Sequence, residues 1–105
     1  MKKIYSLIAL FSMFALQGMS QGLVINEIDY DQPSVDSAEF IELYNAGSSA
    51  VNLGDYTVTL MNGNNNTLYD SLALPQQSLN PGDYFVICSP YGKTPNCDMV
   101  KSNPL

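Results

Sequence analysis

Residues 38–45 read AEFIELYN, and the alternation of their side chains decides how the rest of the chain is interpreted. In an extended strand, successive side chains point to opposite faces. Ile41 and Leu43 then share the face of Glu39 and are expected in the core, while Glu42 lies on the opposite face. A catalytic carboxylate pair must converge on one reacting centre. The strand interpretation therefore argues against Glu39 and Glu42 acting together.

A short helix is the alternative for this stretch. Phe40, Leu43 and Tyr44 would share one face of a helix. Isolated helices of only eight residues are weak, however, and the neighbouring segments are rich in strand-forming residues. We therefore interpret AEFIELYN as a strand.

The segments on both sides of AEFIELYN are short apolar runs separated by turn residues. NPGD at residues 80–83 is a strong turn signature, because proline fixes φ and glycine accepts positive φ. Strand-like segments at intervals of about 8–12 residues are typical of a β-sandwich or barrel. The sequence therefore predicts an all-β domain. Its other strand-like runs are GLVINEIDY, AVNLGDYTVTLMN, LYDSLALP, YFVICS and a possible short strand at DMV.

The first 20 residues differ from the rest and fit a cleaved secretory signal. A basic start, MKK, precedes an uncharged run at Ile4–Leu16, and Gly18 and Ser20 provide small residues before a cleavage point. This three-part pattern is typical of signal peptides. An N-terminal membrane anchor is the alternative, although a bilayer span needs about 20 apolar residues. We expect residues 21–105 to be the mature domain, secreted or at the cell surface, with no transmembrane segment.

The charge of the chain argues against direct binding to nucleic acid. The sequence has four Lys and Arg residues against ten Asp and Glu, and its net charge is −6. Only Lys93 and Lys101 remain after signal cleavage. Nucleic-acid affinity depends mainly on basic side chains that neutralise phosphates. The chain has no histidine, which excludes Ser-His-Asp and Cys-His catalysis.

Cys88 and Cys97 are the two cysteines of the sequence. An even pair in an exported chain predicts a disulfide. Two free thiols or two soft metal ligands are the alternatives. A structural zinc site would require four ligands, and the sequence offers no histidine to complete one.

The run from Leu23 to Val100 resembles the lamin tail domain family. The resemblance rests on LVINEIDY, AEFIELYNAGSSAVNLGDYTVTL and LNPGDYFVICS, in this order and spacing. It implies an immunoglobulin-like β-sandwich without catalytic activity, used for interaction or targeting. The family pattern continues with further strands, so we expect residues 21–105 to be a partial domain, truncated at its C-terminal strands.

The resemblance also implies a bacterial, exported setting. Such domains often stand next to an extracellular nuclease or phosphatase domain. The cysteines in VICS and PNCD are similar to those of this exported branch. Three functions follow from the sequence as alternatives. They are a non-catalytic interaction module, an accessory domain whose catalytic partner lies beyond Leu105, and an adhesin or carbohydrate-binding module. The expected partner is a protein or a cell-surface polymer.

The acidic loop DYDQPSVDSAE provides a weak calcium candidate. Its carboxylates are those of Asp29, Asp31, Asp36 and Glu39. Oxygen ligands suit Ca²⁺, but the EF-hand spacing with its central glycine and bidentate glutamate is absent. Solvated loop carboxylates are the commoner interpretation, and we expect no cofactor.

Two other sets of side chains could form a site. Glu27, Glu39 and Glu42 could meet across strands as an acid cluster, although no nucleophile or histidine accompanies them. Several tyrosines could line a carbohydrate or peptide surface, although aromatic residues on half-buried strands more often serve packing. These are Tyr56, Tyr69, Tyr84 and Tyr91. The sequence assigns no catalytic residue and no specific ligand contact.

Overall fold

The computed structural model describes residues 22–30 and 37–102. Their regular elements are strands and one short 3₁₀ turn, so the all-β prediction is confirmed. The strands are β1 (Leu23–Asp29), β2 (Phe40–Asn45), β3 (Val51–Asn52), β4 (Thr57–Asn62), β5 (Thr67–Ala73), β6 (Ser78–Leu79), β7 (Tyr84–Cys88) and β8 (Met99–Val100). The 3₁₀ turn, Leu53–Asp55, connects β3 to β4. The predicted signal peptide lies outside the described residues.

The strands form two layers of an immunoglobulin-like β-sandwich. One layer is a four-stranded sheet in the order β1-β2-β7-β8, and the pairs β3–β6 and β4–β5 supply the other. Within the four-stranded sheet, β7 and β8 are parallel and the other neighbours are antiparallel. The core lies between the layers, as expected for two sheets that each have one apolar face. Its buried members are Ile41, Leu43, Phe85 and Ile87 from the sheet, and Leu53, Leu72, Leu74 and Leu79 from the opposite side.

β2 is a central strand and shows the predicted alternation. Ile41 and Leu43 are buried, whereas Phe40, Glu42 and Tyr44 are half-buried on the outer face. Full burial of one aliphatic side chain contributes about 1.5–3 kcal/mol. The strand interpretation of AEFIELYN is therefore confirmed.

Asn45 ends β2 and connects the two layers. Its side-chain Nδ2 donates to the carbonyl oxygens of Ser49 and Leu79, both at 2.9 Å, and its Oδ1 accepts from the backbone N–H of Gly47. The side chain is fully buried, and burial of an amide is tolerable only when its hydrogen bonds are made. Asn45 is thus a structural residue that fixes the turn after β2 against β6.

The turn before β7 forms as its sequence predicts. Gly82 has φ of +82°, and the backbone N–H of Asp83 donates to the carbonyl of Asn80 at 3.1 Å. This is the i to i+3 bond of a β-turn with glycine in the left-handed region. Ser78 and Leu79, just before this turn, form β6, a strand that the turn-rich sequence around them does not predict. Leu79 is buried in the core, and that burial outweighs the local turn preference.

Candidate functional site

A β-bulge in β1 sets which side chains face the sandwich interior. The register pairs Ile25 with Leu43 and Ile28 with Ile41, and it shifts between Ile25 and Glu27. Side chains directly opposite on neighbouring strands lie on the same face. The extra residue in the bulge therefore keeps both isoleucines on the interior side, although they are three positions apart.

The interior side of β1 is nevertheless open to solvent. Ile25 is 55% exposed and Ile28 is 52% exposed, whereas the side chains opposite them on β2 are buried. Tyr30, directly after β1, is exposed as well. Exposed apolar side chains that are contiguous along a strand are characteristic of an interaction surface.

These side chains border a groove between β1 and β4, which we call the β1–β4 groove. It contains two cavities of about 220 Å³ and 230 Å³, and Thr59 lines both of them. The first cavity is lined by Leu23, Val24, Ile25, Leu43, Tyr56, Thr57, Val58, Thr59 and Leu74. The second is lined by Ile28, Tyr30, Ile41, Thr59, Leu60, Met61 and Tyr69. The groove is therefore largely apolar and runs along the length of β1.

The outer side of β1 is acidic and aromatic, in contrast to the apolar groove. Glu27 and Glu42 are directly opposite each other in the β1–β2 register. The Nδ2 of Asn26, the residue at the bulge, donates to Oε1 of Glu42 at 2.7 Å. Tyr44 and Tyr84 stack farther along this face, with ring centroids 4.7 Å apart. An acidic and aromatic face thus lies on the other side of the strand that borders the groove.

The three glutamates considered as a possible acid cluster differ in their surroundings. Glu27 and Glu42 meet on the outer face, but Glu39 is buried, with 2% of its surface exposed. The backbone carbonyl of Glu39 accepts from the N–H of Ser89 and from the Thr94 hydroxyl. The three carboxylates therefore do not converge on one centre, as acid–base chemistry would require.

The calcium candidates are only partly described. Asp31 and Asp36 fall outside the described residues. Asp29 is opposite Phe40 in the register, and Glu39, the residue before β2, is buried. Within residues 22–30 and 37–102, no group of three or more acidic or thiol side chains is arranged to hold a metal ion.

An ion pair joins the two layers at the edge of the sandwich opposite the groove. Lys101, directly after β8, is 3% exposed, and its Nζ contacts Oδ2 of Asp70 in β5 at 2.8 Å. The hydrogen bond from Lys101, together with the backbone N–H of Ser71, holds the pKa of Asp70 below its usual value. This pair connects the four-stranded sheet to the β4–β5 hairpin.

The family assignment follows from a comparison with protein-family models. The model for the Lamin Tail Domain matches residues 18–103, which span all the described strands. The chain belongs to the lamin tail domain family. Neither the curated proteins nor the solved structures contain a match to it. The suspected family is therefore confirmed, and it is a family of immunoglobulin-like modules in general rather than of enzymes.

The predicted disulfide is present in this lamin tail domain. Cys88, at the end of β7, is bonded to Cys97, and their Cα atoms are 5.9 Å apart. The bond closes the loop that leads to β8 and fastens it to the sheet. Among the described residues, no helix has the length and apolar character needed to cross a bilayer.

The tyrosines of the lamin tail domain do not form one surface. Tyr56 and Tyr69 line different cavities of the groove, Tyr84 stacks on the outer face, and Tyr91 is in the disulfide loop. All four are partly exposed, and Tyr84 packs against the ring of Tyr44. A continuous aromatic platform for a sugar does not form, but two of the four belong to the groove.

The β1–β4 groove is the feature that sequence reasoning missed. A signal for it exists in INEI, where two isoleucines are three positions apart in a segment rich in β-branched residues. Regular strand alternation places Ile25 and Ile28 on opposite faces, and only a bulge puts them on one face. Met61 and Tyr69, in the β4–β5 hairpin, also line the groove. The sequence around these two residues does not indicate that they lie in a groove.

Proposed function

We propose that this lamin tail domain is an exported, non-catalytic interaction module that binds a protein or cell-surface polymer. The family supports a module of this kind in general. Glu27 and Glu42 share the outer face of the sheet whereas Glu39 is buried, and this arrangement gives no support to an acid–base reaction. Binding by surface complementarity on a rigid sheet scaffold needs only an exposed, shaped surface.

The β1–β4 groove carries this proposal. Ile25, Ile28, Met61 and Tyr69 are each more than half exposed, although all four border one groove. Contiguous exposed apolar surface is costly in water, at about 25 cal/mol for each Å². Surface of this kind on a soluble domain is typical of a binding site.

Export is supported by two features of the chain. The N-terminal pattern fits a secretory signal, and the Cys88–Cys97 disulfide is of a kind that persists in oxidising compartments. We expect the chain to be recovered outside the producing cell with Gln21 at its N-terminus. Mass spectrometry of the protein from the medium measures this. A product that stays inside the cell with residues 1–20 attached would contradict export.

Photo-crosslinking in the producing cell tests the binding role. Tyr69, in the groove, and Tyr91, in the disulfide loop, are both exposed tyrosines, 59% and 53% respectively. Each is replaced in turn by the photo-crosslinking amino acid p-benzoylphenylalanine. We expect light-dependent adducts of one defined mass from position 69 and none from position 91. Equal labelling at the two positions, or none at position 69, would contradict a binding role for the groove.

A further inference from the structure

β1 is the edge strand of the four-stranded sheet within the described part of the chain. It hydrogen-bonds to β2 on one side, and no described strand pairs with its other side. An edge strand presents a row of backbone N–H and C=O groups that can accept another strand. Recognition of an extended peptide by strand addition uses such an edge for affinity and side-chain pockets for specificity.

The two sides of this edge differ in chemistry. Ile25 and Ile28 point into the apolar groove, whereas Glu27 points to the outer face, where Glu42 lies beside it. A strand added next to β1 would place alternate side chains on these two sides. Its inward residues would enter the groove, and its outward residues would lie next to the carboxylates.

We propose that the partner is a protein segment of alternating apolar and basic residues that adds to β1 as a further strand of the sheet. This inference rests on the proposed interaction function and names the chemistry of its partner. The apolar side chains of the segment fill the two cavities of the β1–β4 groove. Its Lys or Arg side chains reach Glu27 across one strand spacing of about 4.8 Å, and the charge of Glu42 adds to the attraction.

A second copy of this chain is a poorer occupant of the same edge. Antiparallel pairing of β1 with β1 of another copy would bring two Glu27 carboxylates close together, and like charges across a pair of strands are destabilising. The two chains would also each carry a net charge of −6. Charge complementarity therefore favours a basic partner.

Synthetic peptides test this with the mature protein. The probe is a fluorescein-labelled nine-residue peptide with Lys at odd positions and Val or Ile at even positions. One control has the same residues in two blocks, and another has Glu in place of Lys. We expect the alternating basic peptide to bind about tenfold more tightly than either control, because only it matches both faces. Fluorescence anisotropy measures the affinities, and hydrogen exchange is expected to show slower exchange of β1 amides.

Matched variants test separately the role of the apolar groove and the role of the acidic outer face. Ile28→Asp puts a charge into the groove, and Val100→Asp introduces the same charge at a similarly exposed position on β8, 60% against 52%. The double variant E27K/E42K reverses the charge beside β1, and Asp83→Lys reverses a charge in the turn before β7. We expect Ile28→Asp to abolish binding, and E27K/E42K to weaken it about tenfold and to favour the Glu peptide. Val100→Asp and Asp83→Lys are expected to bind like the wild type.

The outcomes distinguish this inference from the function on which it rests. Equal binding of the Lys and Glu peptides would overturn the basic partner, and binding without protection of β1 would overturn strand addition. If no peptide binds but position 69 still crosslinks, the strand inference fails and the interaction function stands. Concentration-dependent dimers in sedimentation velocity that Ile28→Asp abolishes would assign the groove to a second copy. Slower β1 exchange in the uncleaved chain than in the mature one would assign the groove to residues 1–20.

Discussion

The two edges of the four-stranded sheet are built in different ways. At the β8 edge, a strand of only two residues is secured by the Cys88–Cys97 disulfide beside it and by the buried ammonium of Lys101. At the β1 edge, a strand of seven residues has half-exposed isoleucines on its interior side. Strand length therefore does not decide how firmly an edge is closed. Contact with the second layer decides how firmly an edge is held. Lys101 reaches β5 across the sandwich, whereas a groove separates β1 from β4.

The largest expected effect is a loss of stability, and it distinguishes a buried from an exposed position on the same face of the sheet. Leu43 and Ile25 are opposite each other in the register, yet Leu43 is buried and Ile25 is not. We expect Leu43→Ala to lower the free energy of unfolding by about 3–5 kcal/mol, and Ile25→Ala to lower it by less than about 1 kcal/mol. Urea denaturation followed by tyrosine fluorescence measures both. Similar losses at the two positions would show that the groove is closed in solution.

We expect loss of the disulfide to lower the stability of the domain at the β8 edge. Cys97→Ser removes the crosslink between residues nine positions apart. We expect a loss of about 2–3 kcal/mol in the free energy of unfolding, because the unfolded chain regains the entropy of an open short loop. The same denaturation measurement, with and without reductant, checks this. The variant should not respond to reductant, whereas the wild type should become as unstable as the variant; an unresponsive wild type would contradict the prediction.

Asn45 tests whether β2 provides the connection to the second layer. Asn45→Ala leaves the carbonyls of Ser49 and Leu79 without their side-chain donor. We expect a loss of about 1–3 kcal/mol, the cost of buried polar groups without partners. Asn26→Ala is the matched control on the open edge, since its bond to Glu42 is exposed, and we expect a change within about 0.5 kcal/mol. A larger loss of unfolding free energy for Asn26→Ala than for Asn45→Ala would contradict the structural role of Asn45.

The smallest expected effect is the pH dependence of the Asp70–Lys101 pair. The pKa of Asp70 is lowered in the folded state, so the unfolded state binds more protons in the acid range. The contribution of the pair is present above the pKa of the unfolded carboxyl, about 4, and is lost as the pH falls through the lower folded pKa. Asp70→Asn should reduce the melting temperature at pH 7, and the gap to the wild type should narrow towards pH 2. Thermal scans over this range measure the gap; a constant gap would contradict the linkage.

The central strand and the turns were predictable because their signals are local. Alternation in AEFIELYN predicts the buried face of β2, and Pro81 and Gly82 predict the turn before β7. The burial of Lys101 has no local signal, because its partner, Asp70, lies on a strand 31 positions earlier in the chain. INEI gives a local hint of the bulge, but the exposure of Ile25 and Ile28 has no local signal, since it depends on where the second layer ends. Local patterns thus predict strands and turns, but not which strand the opposite layer covers.

The bulge at Asn26 also changes how β1 tolerates insertion and deletion. In an ordinary strand, gain or loss of one residue turns every later side chain to the opposite face. In β1, deletion of Asn26 would leave Ile25, Glu27 and Ile28 in regular alternation, with both isoleucines still directed inwards. The strand can therefore change its length by one residue without exchanging its apolar and acidic sides. What the deletion would remove is the local bend of β1, so the extra residue shapes this edge of the sheet while leaving the core composition unchanged.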